Sequence, residues 1–219
     1  MTIKQRYEGV LSYFAATQPN PQTELHYRTP FELLVAVILS AQCTDERVNK
    51  VTPALFESYP TPEIMATARV EDILEHIRSI SYPNSKANHL HDMAQMLVDK
   101  HQGEVPDTME ELTALPGVGR KTANVMLGIV WGKATIPVDT HVFRVSHRIG
   151  LSSGKTPADV ERDLTRHIPE AQRFKAHHWL LLHGRYVCKA QRPDCAHCAL
   201  TALCKQYARQ AKDAPSTTM

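Results

Sequence analysis

Four cysteines crowd one end of this 219-residue chain: Cys188, Cys195, Cys198 and Cys204, with six, two and five residues between neighbours. A C-x-x-C step lets one loop turn present two thiolates to the same centre, and the flanking gaps can wrap a compact loop around it. A reducing compartment disfavours disulfides, which leaves an iron–sulfur cluster or a zinc ion held by four thiolates. His197 could replace one ligand, although a solvent-facing loop histidine is the simpler role. Cys43 stands apart at the end of an apolar stretch and reads as an inert, half-buried thiol.

A second chemical feature is the run Leu115-Pro116-Gly117-Val118-Gly119-Arg120-Lys121-Thr122-Ala123. It predicts a tight helix–hairpin–helix. Pro116 ends the first helix, while Gly117 and Gly119 permit positive φ and let another backbone approach without a Cβ in the way. The second helix starts here, so its free N–H groups and the positive end of its dipole can hold a phosphate oxygen. Gly117, Val118, Gly119, Arg120 and Thr122 are therefore assigned as DNA contacts, which position a duplex without reading its sequence. Lys121 can pair with a phosphate or act as a nucleophile. Its place in the first helical turn, with partial burial beside Ala123 and Val125, would favour the neutral, nucleophilic amine.

Eighteen residues further on, Ile136-Pro137-Val138-Asp139-Thr140-His141-Val142 places a carboxylate at the start of another helix, marked by Val142, Val145 and Ile149. Asp139 reads first as its N-cap. One oxygen can cap while the other faces a cleft that the apolar lead-in keeps partly dry. An amine and a carboxylate facing each other across a DNA-sized groove suit attack on C1′ of an extruded nucleotide. The carboxylate would stabilise charge on the sugar and help move protons. A Schiff base on the lysine then accounts for both base removal and strand nicking.

The elements that must carry these groups read as helices throughout. Helical periodicity recurs along the chain and period-2 runs are absent, so the fold class is all-α. Phe31 to Gln42 is apolar nearly all round and suits a central core helix. Thr44 caps the next helix, with Asp45 and Glu46 in its first turn. Further helices are expected over 4–17, 63–67, 70–78, 84–101, 108–115, 120–131, 140–149, 157–167 and 171–187. Residues 210–219 read as a disordered tail.

Bulk properties agree with a polyanion partner without requiring one. The net charge is only +2, but residues 1–133 carry 12 Lys+Arg against 16 Asp+Glu, and residues 134–219 carry 13 against 7. The C-terminal part is the basic one. Lys189 and Arg192, between the first two cysteines, are placed to meet a DNA backbone. No apolar run approaches the ~18 residues needed to span a bilayer, and Met1 to Val10 lacks a signal-peptide core, so a cytoplasmic location is expected.

Taken together, the lysine hairpin, the Val138-Asp139-Thr140-His141-Val142 segment and the cysteine spacing resemble the endonuclease III family of DNA glycosylases with abasic-site lyase activity. Leu39-Ser40-Ala41-Gln42-Cys43-Thr44-Asp45 and Asn84-Ser85-Lys86-Ala87 resemble further family segments, and the likeness runs from about residue 4 to about residue 209. The resemblance implies a two-lobed helix-hairpin-helix glycosylase fold with DNA in the groove between the lobes. A six-helix barrel would span 23–133, and 1–22 with 134–209 would form an iron–sulfur lobe holding a [4Fe-4S] cluster. It makes Lys121 the Schiff-base nucleophile and Asp139 the catalytic aspartate. Gln42 would fill the space of the flipped nucleotide, and Asp45 would lie near the mouth of the active site. Asn84, Lys86 and His141 are carried over as DNA-contact residues. The implied substrates are oxidised or ring-saturated pyrimidines and abasic sites in double-stranded DNA; a monomer acting without a membrane is expected.

One departure stands out. The family usually has a glycine, an aliphatic wedge and then Tyr-Asn before Ser-Lys-Ala, whereas this chain reads Ser81-Tyr82-Pro83-Asn84-Ser85. Tyr82 would replace the wedge, and an aromatic ring can stack on bases. Two other functions compete. A mismatch adenine glycosylase shares cluster and hairpin but generally lacks a lysine at this position and carries a further C-terminal domain, whereas here only 15 residues follow Cys204. A non-catalytic iron–sulfur DNA-binding module would need neither the amine nor the carboxylate.

Overall fold

A computed structural model of the chain describes residues 1–213. Among them there is no β-strand, and no helix is long and apolar enough to cross a membrane. The chain divides into two compact units. One is continuous, Thr23–Lys133; the other joins Met1–Gln22 to the chain from Ala134 onward.

The continuous unit is built on α2 (Pro30–Ser40), which is buried without interruption from Phe31 to Leu39. It packs against α3 (Asp45–Ser58), α6 (Pro83–His101) and α8 (Arg120–Trp131). Each fully buried Leu, Val or Ile on such a helix contributes on the order of 1.5–3 kcal/mol. The helix ends two residues short of the predicted Gln42: Ala41 turns out of it at ψ 115°, and Gln42 follows at φ 55°. Its one buried acid, Glu32, accepts from the Arg28 amide at 2.7 Å and from the Arg28 guanidinium at 2.8 Å, so the charge is not orphaned.

Shorter helices close the unit: α4 (Pro62–Ala66), α5 (Val70–Ile77) and α7 (Met109–Ala114). Their starts follow a common rule. Thr29, Thr44, Thr61 and Thr108 each accept a first-turn amide, and Pro30, Pro62 and Pro83 occupy first helical positions where the missing N–H costs nothing.

In the discontinuous unit α1 (Ile3–Thr17) buries Tyr7, Val10 and Phe14, a helical stripe. It is held there by chain made far later. Tyr7 Oη donates to the Leu151 carbonyl at 2.8 Å, Arg6 Nε to Leu203 O at 2.9 Å, and Trp179 Nε1 to Gln18 O at 2.7 Å. The same core draws on α9 (Thr140–Ile149), α10 (Pro157–His167) and α11 (Arg173–Tyr186), and α12 (Lys205–Asp213) packs against α9. The stretch 171–187, predicted as one helix, is a 3₁₀ turn, Glu170–Gln172, followed by α11. α12 has no counterpart in the sequence reading, and residues 210–213 of the predicted disordered tail belong to it; 214–219 lie outside the described residues.

Candidate active site and cysteine loop

The hairpin joins α7 to α8 through Leu115–Gly119. Gly117 takes φ +77°, and an added Cβ there would stand 3.0 Å from His89 Cβ, so both conformation and space demand glycine. The turn is closed by Val118 N donating to Leu115 O at 3.1 Å, with the Val118 side chain buried. Gly119 departs from expectation: its φ of −91° is open to any residue. What sets Gly119 apart is emptiness. An added Cβ meets nothing within 4 Å, and no side chain caps the start of α8. Helix geometry leaves such a start rich in outward N–H groups and partial positive charge. Lys121 lies in this first turn. It is exposed, so the partial burial expected for it is absent: Ala123 and Val125 are buried, but they lie further along the helix and do not cover it.

Asp139 caps α9, its Oδ1 accepting from Val142 N at 2.7 Å. The lead-in Ile136, Pro137 and Val138 is buried, as the sequence suggested, while Asp139 itself is half-buried. A residue that the sequence did not flag fixes this lead-in. His177 on α11, 3% exposed, places Nδ1 2.7 Å from the Pro137 carbonyl, two residues before Asp139. His141, read as a DNA contact, is half-buried against α11. Its Nδ1 lies 3.1 Å from Arg144 Nη2, and Gly184 is so close that an added Cβ would stand 2.8 Å from His141 Cβ.

The turn after α2 and the loop before α6 expose two other sequence-predicted residues. Gln42 (φ 55°) and Tyr82 (φ 57°) both adopt left-handed backbone, and both side chains are exposed. Core packing for Tyr82 is excluded by its 65% exposure. Asn84 is exposed in the first turn of α6, and Asp45 opens α3 half-buried. Lys86 contradicts the reading as a DNA contact. Its side chain is buried, and its ammonium donates to Leu39 O at 2.8 Å and Ala41 O at 2.6 Å. Burial pulls its proton affinity below the usual lysine range, with the Cys43 thiol opposing. A phosphate cannot reach it.

All four clustered cysteines line one cavity, roofed by apolar Ile149, Val187, Pro193 and Leu200. Among the described residues, no three His, Cys, Asp or Glu side chains meet around a single-ion position. Burial pushes the Cys195 and Cys198 thiols up, helped by the neighbouring thiols and opposed at Cys198 by a backbone hydrogen bond from Leu200. Four thiolates here would repel one another without positive charge among them. Basic groups of α9 grip this loop. Arg144 Nε donates to Cys188 O at 3.1 Å, while Arg148 donates to Lys189 O at 2.6 Å and Ala190 O at 2.9 Å, with Nη1 3.5 Å from Cys188 Sγ. His183 Nε2 stands 3.7 Å from Cys198 Sγ, and burial holds its ring down to about pKa 4, hence neutral. His197 is an exposed loop residue paired with Asp194 at 2.9 Å. Lys189 and Arg192 are exposed.

Comparison with known proteins reads the same features. Residues 35–170 match the family model described as "HhH-GPD superfamily base excision DNA repair protein". Endonuclease III of Rickettsia conorii is 48% identical, covering 90% of this chain and 94% of its own. Endonuclease III of Escherichia coli strain K12 is 45% identical, covering 90% and 93%. A solved structure of a trapped endonuclease III–DNA covalent intermediate superposes with a TM-score of 0.91 at 44% identity, covering 96% of this chain and 100% of that one. The chain belongs to the endonuclease III family, the DNA glycosylase/AP lyases of the HhH-GPD superfamily of base excision DNA repair.

Proposed function

We propose that this enzyme removes oxidised or ring-saturated pyrimidines from duplex DNA and nicks the strand 3′ to the resulting abasic site, with Lys121 as nucleophile and Asp139 as its acid–base partner. The observation that carries the reading is an exposed lysine in the first turn of a helix whose start is uncapped and sterically open, the arrangement that holds a phosphate beside an amine. The Lys121 amine, once it has given up its proton to solvent, attacks C1′ as the glycosidic bond breaks, and the departing base leaves with the electron pair and takes up a proton from water. The proton shed by the amine passes to O4′, by way of Asp139, as the C1′–O4′ bond opens to an iminium. The iminium acidifies C2′–H. Loss of that proton expels the 3′ phosphate, and water releases the lysine.

Gln42, Tyr82, Asn84, the hairpin residues Gly117 to Arg120 with Thr122, and the exposed Lys189 and Arg192 serve as DNA contacts in this reading. His141, packed against Arg144 and Gly184, is at most a partial one. Cys188, Cys195, Cys198 and Cys204 would hold a [4Fe-4S] cluster. Four sulfurs around one apolar-roofed cavity are the donor set that such a cluster takes. When bound, the cluster supplies positive charge that lets four thiolates coexist, and it offers a one-electron couple.

The test is covalent. Wild-type protein incubated with duplex DNA carrying thymine glycol, then treated with borohydride, should give a stable adduct that Lys121→Ala abolishes. An adduct that survives the substitution, or none with the wild type, overturns the reading. Iron with broad visible absorption is expected in the purified protein; stoichiometric zinc in a colourless protein refutes the cluster.

A further inference from the structure

We infer that Lys86 is a positioning residue that sets the separation of Gln42 and Tyr82 and so governs how well the enzyme tells damaged from intact duplex. The inference rests on the reading above, in which Gln42 and Tyr82 enter the duplex. Three observations lead to it.

First, the Lys86 ammonium donates to Leu39 O at 2.8 Å and to Ala41 O at 2.6 Å. These lie at the C-terminal end of α2, where carbonyls lack helical partners and the dipole is negative. Second, Lys86 sits in the first turn of α6, whose N-cap is Tyr82, and its backbone amide closes the first helical bond to Tyr82 O at 3.1 Å. The side chain therefore fastens the residue before Gln42 to the turn that begins at Tyr82. Third, Gln42 and Tyr82 are two of four non-glycine residues with positive φ among those described. Such backbone is costly for a glutamine or a tyrosine and persists only where surrounding contacts over-determine it. Lys86 makes contacts on both sides.

Because the ammonium that completes the end of α2 is carried on the first turn of α6, four residues after Tyr82, it braces the starts of the two exposed probes against each other. Without the ammonium, the Ala41 carbonyl loses its donor and the Gln42 turn can relax, while Tyr82 remains at the start of α6. Two groups that gain binding energy only by entering the helix together would then be out of register.

The experiment compares wild type, Lys86→Met and Lys86→Arg on intact duplex and on duplex bearing a tetrahydrofuran abasic analogue opposite 2-aminopurine. Wild type should prefer the abasic duplex and raise 2-aminopurine fluorescence as the base unstacks. Lys86→Met should bind intact duplex with wild-type affinity and salt dependence, lose roughly tenfold of its preference for the abasic duplex, and give a blunted fluorescence rise. Lys86→Arg, whose guanidinium can still donate to both carbonyls, should recover part of the loss. In a Gln42→Ala/Tyr82→Ala background the Lys86→Met loss should vanish, because Lys86 acts through those two side chains. Should Lys86→Met fail to fold, Lys86→Gln serves in the same cycle. An unchanged preference, or a loss that adds in full to the double substitution, overturns the inference. If wild type shows no preference and gives no borohydride adduct, the functional reading itself has failed instead.

Discussion

α8 and α9 begin in opposite ways. Gly119 has no side chain with which to cap α8, and open space stands where a Cβ would be; at Asp139 a carboxylate oxygen already takes the Val142 amide at 2.7 Å. Both starts carry the same partial positive charge. In one it remains for an outside anion, and in the other it is occupied by the protein's own. The residue type at one position decides which, and each helix then carries one of the two residues proposed to react, Lys121 just inside α8 and Asp139 at the head of α9. The comparison teaches that the same local device serves as a binding site or as a mount.

The largest effect should come from separating the two jobs of Asp139. Asp139→Asn keeps a capping oxygen but removes the charge, so single-turnover base release from a thymine-glycol duplex should slow by roughly 10²–10⁴-fold while thermal stability changes by under about 0.5 kcal/mol. Asp139→Ala should lose about 1 kcal/mol in addition. Base release at the wild-type rate in the asparagine variant would reduce Asp139 to a mount alone.

Gly119→Asp should make α8 begin as α9 does. Affinity for intact duplex should drop roughly tenfold near 0.1 M salt, and the slope of log Kd against log salt should shrink by about one. Folding should gain a few tenths of a kcal/mol, on the order expected for a cap in place of glycine. Unchanged binding in a salt titration would remove the phosphate from this turn.

The smallest contrast is steric. Gly117→Ala, with φ +77° and His89 at 3.0 Å, should cost about 1–2 kcal/mol in chemical denaturation, whereas Gly119→Ala should leave stability within about 0.5 kcal/mol. Equal losses would contradict the division of labour between the two glycines.

Much of this was legible because the punctuation is local. α8, α9 and α10 run over 120–131, 140–149 and 157–167 as predicted, each opened by Gly119, Asp139 or Thr156-Pro157, and α8 and α9 closed by left-handed Gly132 and Gly150. The misreadings share a different cause. Lys86, which the resemblance makes a DNA contact, is buried against acceptors, Leu39 and Ala41, that lie more than forty positions earlier, where nothing beside Asn84-Ser85 points. His177 went unnoticed for the same reason, its partner Pro137 being forty positions away. Lys121 is not buried by Ala123 and Val125 because a helical side chain leans towards the N-terminus, and in the first turn that carries it off the open start of α8. α12 was missed because Lys205–Asp213 is mostly polar, and its start is marked by a cysteine, whose Sγ takes the Tyr207 amide at 3.5 Å, rather than by a usual capping residue.

The hydrogen bonds that fasten α1 also impose an order of assembly. Arg6, Tyr7 and Gln18 find their partners at Leu203, Leu151 and Trp179, residues the ribosome adds 130 or more positions later, since 151 − 7 is 144 and 203 − 6 is 197. The unit spanning 23–133 has all its own core residues in hand once Lys133 has emerged. At roughly 5–20 residues per second, the first helix spends seconds on the nascent chain with its apolar stripe unsatisfied while the second-made unit is already whole. A helix made before the 23–133 unit is thus secured only after it.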